Sequence, residues 1–518
     1  MHAGFIALAC ALPFVLLAPF FGAPLMTDEG VFSTVAREMM RGGLLYRDVF
    51  DNAPPLAYVW YMLGFIVLGE NVWVPRVLLV LAMSTTTLLV YLEGRLLDSP
   101  RVGLVAAFAF AASAALVQTG PRAQKEYLLL PLLVGALVLF TRGTQTNRSE
   151  WFLAAGMASG LGILTSQLSA VHFLVLLAFA AWLELRDAPR LGLRLFQHSA
   201  LLIGGVIGVF LLVALPYILS GAARDLVYGL VEYPLLYADS GIESRWALAV
   251  GGLAWFFPVA APWFFTSLIG CVALLRSQTN DKKWLLLAWT VASVIAILAP
   301  GHFRRYYFIL LLPGMALLTG FALLALPYFL RRGVRRAGLY VGLFSTVFLS
   351  AYLNGFVYLQ PSSVERLIAS GGADYRLREA QSPALAAYVA ERTTPGDRIF
   401  NLGRQPELYF YANRRPASRY IDTYPLDYDP RTLQTLLADL KTNRPAYIVD
   451  TQWPMYLQGI DSPYPVEMRQ FLERHYVHER TFEFEPWLAE IYARLSPRED
   501  DVTRLGYFAD VWRLSPIP

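Results

Sequence analysis

Only two cysteines and six histidines occur among 518 residues. Cys10 and Cys271 both sit in apolar runs, which excludes a disulfide framework and a thiolate metal cluster. The histidines are scattered without HExxH or similar ligand spacing, so no motif calls for a metal, although a divalent cation bound without a motif stays open. Lysine is scarce too: of 43 basic residues only Lys125, Lys282, Lys283 and Lys441 are lysines, a composition bias that carries no function by itself. Charge as a whole is thin, 16% against about 25% in ordinary soluble domains. With a net charge of +4 and no basic run outside membrane-adjacent loops, nucleic-acid binding has no support. The 56% hydrophobic and 14% aromatic content excludes disorder.

The charge that exists is unevenly placed. Residues 361–518 hold 41 of the charged residues in 158 positions, and the first 360 residues hold the other 41. A sparsely charged front therefore precedes an ordinary tail, which divides the chain into a membrane domain at 1–359 and a polar domain at 360–518. Apolar runs of membrane-spanning length lie near 5–24, 73–92, 101–119, 124–141, 151–166, 168–184, 199–219, 250–276, 283–299, 305–328 and 337–358, about eleven spans. The pair at 151–184 is broken only by Thr165-Ser166-Gln167. A cytoplasmic N-terminus puts Arg95, Arg101, Arg142, Arg148, Arg186, Arg190, Arg194, Arg276, Lys282, Lys283, Arg331, Arg332, Arg335 and Arg336 in short inner loops, as the positive-inside tendency requires. The odd number of spans then places the tail outside. The first run reads as an uncleaved anchor, because no Lys or Arg precedes it. Residues 54–69 are too few to cross and read as an interfacial helix with Tyr58, Trp60 and Tyr61 at headgroup level.

The remaining charges of the front gather in outer loops. Within 25–72, Val31, Phe32, Val35, Ala36, Met39 and Met40 form one apolar helix face, Ser33, Thr34, Arg37, Glu38 and Arg41 face away, and Gly42-Gly43 ends the helix. Asp28 and Glu29 stand where a span meets this helix. Local capping by Thr27 or Asp28 is the competing assignment, but an acidic pair beside lipid is costly unless something uses it. Asp48 and Asp51-Asn52 form a second acidic cluster in the same loop.

Asp28-Glu29, Arg37-Glu38-Met39, Tyr46-Arg47-Asp48 and Asp51-Asn52-Ala53-Pro54-Pro55-Leu56 resemble the first outer loop of family 39-type glycosyltransferases, membrane enzymes of the GT-C fold that include protein O-mannosyltransferases and lipid A aminoarabinose transferases. The resemblance extends to Pro121-Arg122…Glu126, to His302-Phe303-Arg304-Arg305-Tyr306-Tyr307…Pro313, and to Pro406-Glu407-Leu408-Tyr409-Phe410…Arg414-Arg415-Pro416. One departure stands out: Ala53 occupies the place where members often carry a lysine. The resemblance implies an α-helical GT-C membrane domain with an extracytoplasmic α/β domain, in a bacterial inner membrane. It implies transfer of a sugar from a polyprenyl-phosphate donor to an acceptor hydroxyl, on a glycan, lipid or protein, at the outer face and with inversion. A phosphate leaving group needs no general acid, so one carboxylate takes the acceptor proton and cations hold the departing phosphate. Asp28 matches the base position, with Glu29 supporting it. Arg122, Lys125, Arg304, Arg305, Arg37 and Arg47 are candidates for the phosphate; Asp48, Asp51, Asn52, Glu126 and His302 for the sugar or acceptor pocket.

From about 360 onward helix and strand patterns alternate: a helix at 383–392, a strand at Arg398–Leu402, a helix at 430–441 and a strand at Ala446–Val449, the marks of a small α/β layer domain. Gly403 stands without GxGxxG spacing, so no phosphate loop is present. A transporter or flippase of lipid-linked glycans is the competing function; it calls for charges inside the spans and internal repeats, neither of which the sequence offers.

Overall fold

The computed structural model describes residues 2–113, 121–186, 196–239, 245–276, 281–329, 354–370, 373–451, 465–495 and 509–515, with 345, 348 and 352 singly. Most of the run at 337–358, the arginines at 331–336, Arg190, Arg194, and part of the loop after Asp239 lie outside these residues.

The front of the chain is a helical bundle: α1 (His2–Leu17), α2 (Thr27–Met40), α3 (Pro55–Leu68), α4 (Val74–Leu97), α5 (Pro100–Ala111), α6 (Lys125–Thr146), α7 (Ser149–Thr165), α8 (Ala170–Arg186), α9 (Gln197–Leu219), α10 (Ala223–Val227), α11 (Tyr233–Asp239), α12 (Arg245–Arg276), α13 (Lys282–Leu298) and α14 (Leu312–Phe329). Among the described residues six stretches are long and apolar enough to cross a membrane alone: Ala3–Phe20, Val74–Leu97, Lys125–Thr146, Gln167–Arg186, Gln197–Leu219 and Arg305–Ala322. α9 leaves Leu211, Leu212, Leu215 and Leu219 exposed, a face suited to hydrocarbon rather than water. The break between α7 and α8 falls where expected, because Ser166 is extended and a 3-10 turn follows. Close helix approach uses glycine: Gly156 of α7 and Gly205 of α9 each meet the other helix's backbone with no room for a Cβ.

One expectation about the outer loop changes in part: α3 turns Tyr58 and Tyr61 inward, while Trp60 is half-buried. Tyr58 and Tyr61 are buried against Phe32, with ring centroids 5.6 and 5.4 Å away, while Leu63, Ile66 and Val67 are the exposed residues. The phenol groups have inward partners, which outweighs their interfacial preference. The polar face of α2 is covered by the tail: Thr34 donates to the Pro406 carbonyl (3.0 Å), and Arg415 bonds to Glu38 (2.6 Å).

The tail supplies α15 (Ser363–Ala369), α16 (Ala373–Glu391), α17 (Glu407–Ala412), α18 (Thr432–Asn443), α19 (Val466–His475), α20 (Pro486–Leu495) and five strands. These are β1 (Arg398–Leu402), β2 (Arg415–Pro416), β3 (Tyr447–Asp450), β4 (Tyr476–Phe482) and β5 (Ala509–Leu514), in the order β2-β1-β3-β5-β4. β1 runs parallel to β2 and β3; β5 is antiparallel to β3 and β4. Leu385 and Val389 of α16 and Leu436 and Leu440 of α18 join Ile399, Phe400 and Ile448 in a core continuous with that of the bundle. α17 lies along α2 so closely that a Cβ at Gly30 would fall 2.6 Å from the Glu407 backbone.

Candidate functional site

The site begins at the first turn of α2. Neither Thr27 nor Asp28 caps this helix: Met26 is the N-cap. The orphan N–H groups are satisfied elsewhere, that of Met26 by Glu29 (3.1 Å) and that of Thr27 by Glu379 of α16 (2.8 Å). Glu29 has no exposed surface, pairs with the equally buried Arg76 of α4, and accepts the Ala123 N–H (2.9 Å). It therefore fixes the loop that carries Arg122. Asp28 keeps 37% of its side chain exposed and meets Arg122 (3.0 Å) and Gln124 from that loop. Arg122 lies 5.6 Å from the centre of the Tyr306 ring, and its buried Nε has no partner among the described residues.

Lys125 and Glu126 open α6 directly after this loop. Glu126 is fully buried and neither carboxylate oxygen has a hydrogen-bond partner among the described residues, an arrangement that calls for an unpaired donor to arrive. The Lys125 charge acts on Glu126 and also on Asp51 of the second acidic cluster. Asp51 receives the Tyr58 hydroxyl, which in turn accepts the Ala53 N–H (3.2 Å). Burial still pushes its carboxyl above the ordinary value. Asn52 is half-buried beside it.

The tail closes the opposite side. Phe50 donates to the Arg419 carbonyl (2.7 Å) and bridges Tyr420 in parallel, which stitches the membrane-domain loop to the segment before Asp422. Asp422 is buried, and desolvation lifts its carboxyl to about 7, with Arg404 opposing the shift and Asp51 adding to it. Arg404 lies over the Tyr424 ring (3.7 Å) and bonds to Asp427 (3.1 Å), whose carboxyl burial raises to about 6. Tyr428 packs 5.0 Å from Tyr237, which stacks 4.0 Å from His302; His302 Nε2 lies 2.9 Å from the Tyr237 carbonyl. The Arg304 charge reaches Tyr306, Tyr424 and Tyr428.

The structure thus gathers Asp28, Arg122, Lys125, Glu126, Asp51, Asn52, His302 and Arg304 around one junction between the two domains. It does not bring the other expected residues there. Arg37 lies nine residues further along α2, about 13 Å, bound to Glu70 (2.6 Å) and to the Tyr409 and Phe410 carbonyls. Arg47 and Asp48 pair with each other at an exposed turn, where Asp48 also takes the Leu44 N–H (2.8 Å). Arg305 is exposed, its guanidinium over Trp255 (5.0 Å), as an interfacial anchor would be. Sequence reasoning missed Gln124, Glu379, Arg404, Asp422, Tyr424, Asp427 and Tyr428. The density of acids and tyrosines in Asp422–Asp429 was the one available signal. No group of three or more His, Cys, Asp or Glu among the described residues is arranged to hold a metal ion.

Residues 52–218 match a family model described as dolichyl-phosphate-mannose-protein mannosyltransferase. No curated protein sequence matches the chain. Among solved structures, ArnT from Cupriavidus metallidurans bound to undecaprenyl phosphate is 16% identical with a TM-score of 0.62, over 98% of this chain and 97% of that one. An Archaeoglobus fulgidus oligosaccharyltransferase tethered to an acceptor peptide is 12% identical with a TM-score of 0.53, over 99% and 88%. The oligosaccharyltransferase AglB of the same organism, in complex with an inhibitory peptide and a dolichol-phosphate, is 13% identical with a TM-score of 0.52, over 87% and 69%. The fold is that of the GT-C membrane glycosyltransferases.

Proposed function

We propose that this GT-C chain moves a sugar from a polyprenyl phosphate to an acceptor hydroxyl at the outer membrane face, with Asp28 as general base. The carrying observation is the division of labour at the start of α2. Glu29 and Glu379 satisfy the helix N-terminus and Glu29 neutralises Arg76, which leaves the half-open Asp28 carboxylate, among the described residues, to polar partners from the Arg122 loop. In the reaction the acceptor oxygen attacks the anomeric carbon as the bond to the phosphate oxygen breaks. The acceptor proton passes to Asp28, and the polyprenyl phosphate departs with the bonding electrons. Attack opposite the leaving group inverts the anomeric centre. Arg122 and Lys125, with Arg304 across the junction, supply positive charge for the phosphate, and a dry junction makes each contact stronger than in water. Arg122 pairs with Asp28 (3.0 Å) and trades part of that contact for phosphate when the donor binds. Lys125, beside Asp51, brings positive charge to the loop in which Ala53 replaces the lysine of relatives. Two of the solved structures with this fold carry undecaprenyl phosphate and dolichol-phosphate, which supports a lipid-linked donor. The bundle and its positive inner loops support a bacterial inner-membrane protein with the tail outside.

Asp28→Asn tests the assignment. Transfer from undecaprenyl-phosphate-linked radiolabelled sugars in membrane vesicles is expected to fall about 10²–10⁴-fold, with undecaprenyl phosphate still bound and the melting temperature nearly unchanged. Wild-type transfer rates in this variant would remove Asp28 from the mechanism.

A further inference from the structure

The wall contributed by the outer domain is more elaborate than a cover needs. The parallel bridge between Phe50 and Tyr420 sets Asp51 of the first loop close enough to Asp422 of the tail for the Asp51 charge to be felt there. Burying like charges at a junction is costly, and an apolar contact would hold the domains together better. Arg404 does not relieve the cost fully. It is 8% exposed, committed to Asp427 and to the face of Tyr424, and its buried Nε has no partner among the described residues. The Tyr233 hydroxyl, also buried, has none either. Tyr237, Tyr424, Tyr428 and Asp427 are only half-buried, although they sit between two packed domains.

One buried and two half-buried carboxyls, a guanidinium with an unmet donor and phenolic hydroxyls together offer both acceptors and donors in a small space. A phosphate is repelled by Asp51, Asp422 and Asp427. A peptide offers a hydroxyl only at Ser, Thr or Tyr, one at most per residue. A sugar ring offers several hydroxyls, each able to donate to a carboxylate and accept from a guanidinium or phenol. The position also selects a role: the cations expected to hold the donor phosphate stand at the starts of membrane helices, whereas this wall comes from the side that faces an incoming acceptor.

We propose that Arg404, Asp422, Tyr424 and Tyr428, with Asp51, form a subsite for a sugar residue of the acceptor, so that the acceptor is a glycan; the proposal rests on the transferase reading above. Asp422 and Asp51 accept from ring hydroxyls, Arg404 Nε donates to one, and the seated sugar directs a free hydroxyl toward Asp28.

The test uses the full chain in nanodiscs saturated with undecaprenyl phosphate, and measures binding of a panel of methyl hexopyranosides and pentopyranosides by saturation-transfer NMR. At least one glycoside is expected to bind in the millimolar range. Asp422→Asn is expected to weaken it about tenfold or more and Tyr428→Phe about threefold, as losing hydrogen bonds to a charged and to a neutral partner does, with undecaprenyl phosphate affinity within twofold of wild type. Absence of binding by every glycoside overturns the proposal, as does wild-type glycoside affinity in both variants. Equal loss of glycoside and undecaprenyl phosphate in both variants marks a structural junction and overturns it too; if Asp422→Asn alone loses both, the near-isosteric Tyr428→Phe decides. Failure of wild type to bind undecaprenyl phosphate, or full transfer by Asp28→Asn, counts against the transferase reading instead, and glycoside binding is read without any transfer.

Discussion

In the first acidic cluster of the outer loop, Glu29 has no exposed surface and holds Arg76, the Ala123 N–H and the Met26 N–H, while Asp28 stays 37% exposed. In the second, Asp48 closes its own turn through Arg47 and the Leu44 N–H, while Asp51 looks into the domain junction toward Lys125 and Asp422. Each cluster splits into one carboxylate held by its own loop or helix and one turned toward the junction, the one proposed above for the site. The physical cause is geometric. In the first cluster successive residues on a helix point about 100° apart, so Glu29 meets the buried arginine and the backbone donors and Asp28 cannot. Where a helix end is already capped from a distance, as Glu379 caps α2, the remaining carboxylate costs nothing in unmet N–H groups when it is turned to a substrate.

The split is broken most severely at Glu29. Glu29→Gln leaves Arg76 buried without its counter-charge, and loss of one partner of such a pair costs about 3–5 kcal/mol. A large drop in the melting temperature is expected, measured in detergent against Asp28→Asn, which barely moves it because a partly open pair contributes about 1 kcal/mol or less. Equal stability of the two variants would erase the distinction between a carboxylate of the fold and one of the site.

The second cluster is sharpened through Asp422, which faces Asp51. With its carboxyl near 7 in the folded chain and near 3.9 when unfolded, Asp422 binds its proton more tightly in the fold. Its contribution therefore favours folding at low pH and is lost as pH rises through 7, on the order of 3 kcal/mol between pH 5 and pH 8. Asp422→Asn should flatten that part of the pH dependence of the melting temperature, and an unchanged profile would show that the junction is wetter than its burial implies.

A smaller effect belongs to the seam that caps the first cluster. Gly30→Ala places a methyl group 2.6 Å from the Glu407 backbone, and overpacking of that kind costs about 1–3 kcal/mol. Because α17 must retreat, protease sensitivity around 403–431 should rise together with the loss of stability. A stabilised Gly30→Ala variant would mean that α2 and α17 do not pack this tightly.

How much of this was legible in the sequence follows from the range of the interactions. The apolar runs marked ten helices of the bundle, because each run is a local property. The five residues Arg398–Leu402 read as a strand are β1. The same local reading separated the polar from the apolar face of α2 without showing the tail that covers it, and it sent Tyr58 to the headgroups, since amphipathicity tells which face is polar but not what covers it. The contact of Glu379 with Thr27 spans 352 positions, and that of Arg415 with Glu38 spans 377. No periodicity encodes either. The outer-domain wall was invisible for this reason: Arg404 and Asp422 become site residues only because the Phe50–Tyr420 bridge docks their loop.

The smallest expected effect falls on Asp48, and it separates the two members of the second cluster most cleanly. Asp48 and Arg47 are each about 40% exposed, so their attraction is screened by water, and such pairs contribute about 0–1 kcal/mol. The Leu44 N–H that Asp48 accepts is at the surface, where water replaces the carboxylate. Asp48→Ala is therefore expected to lower stability by less than about 1 kcal/mol and to leave the transfer rate within twofold, measured beside Asp51→Asn in the same vesicles. Asp51→Asn removes a carboxylate that faces Lys125 and takes the Tyr58 hydroxyl, and transfer should fall at least tenfold. If Asp48→Ala proved the more damaging of the two, the exposed turn and not the junction would be the working half of the loop.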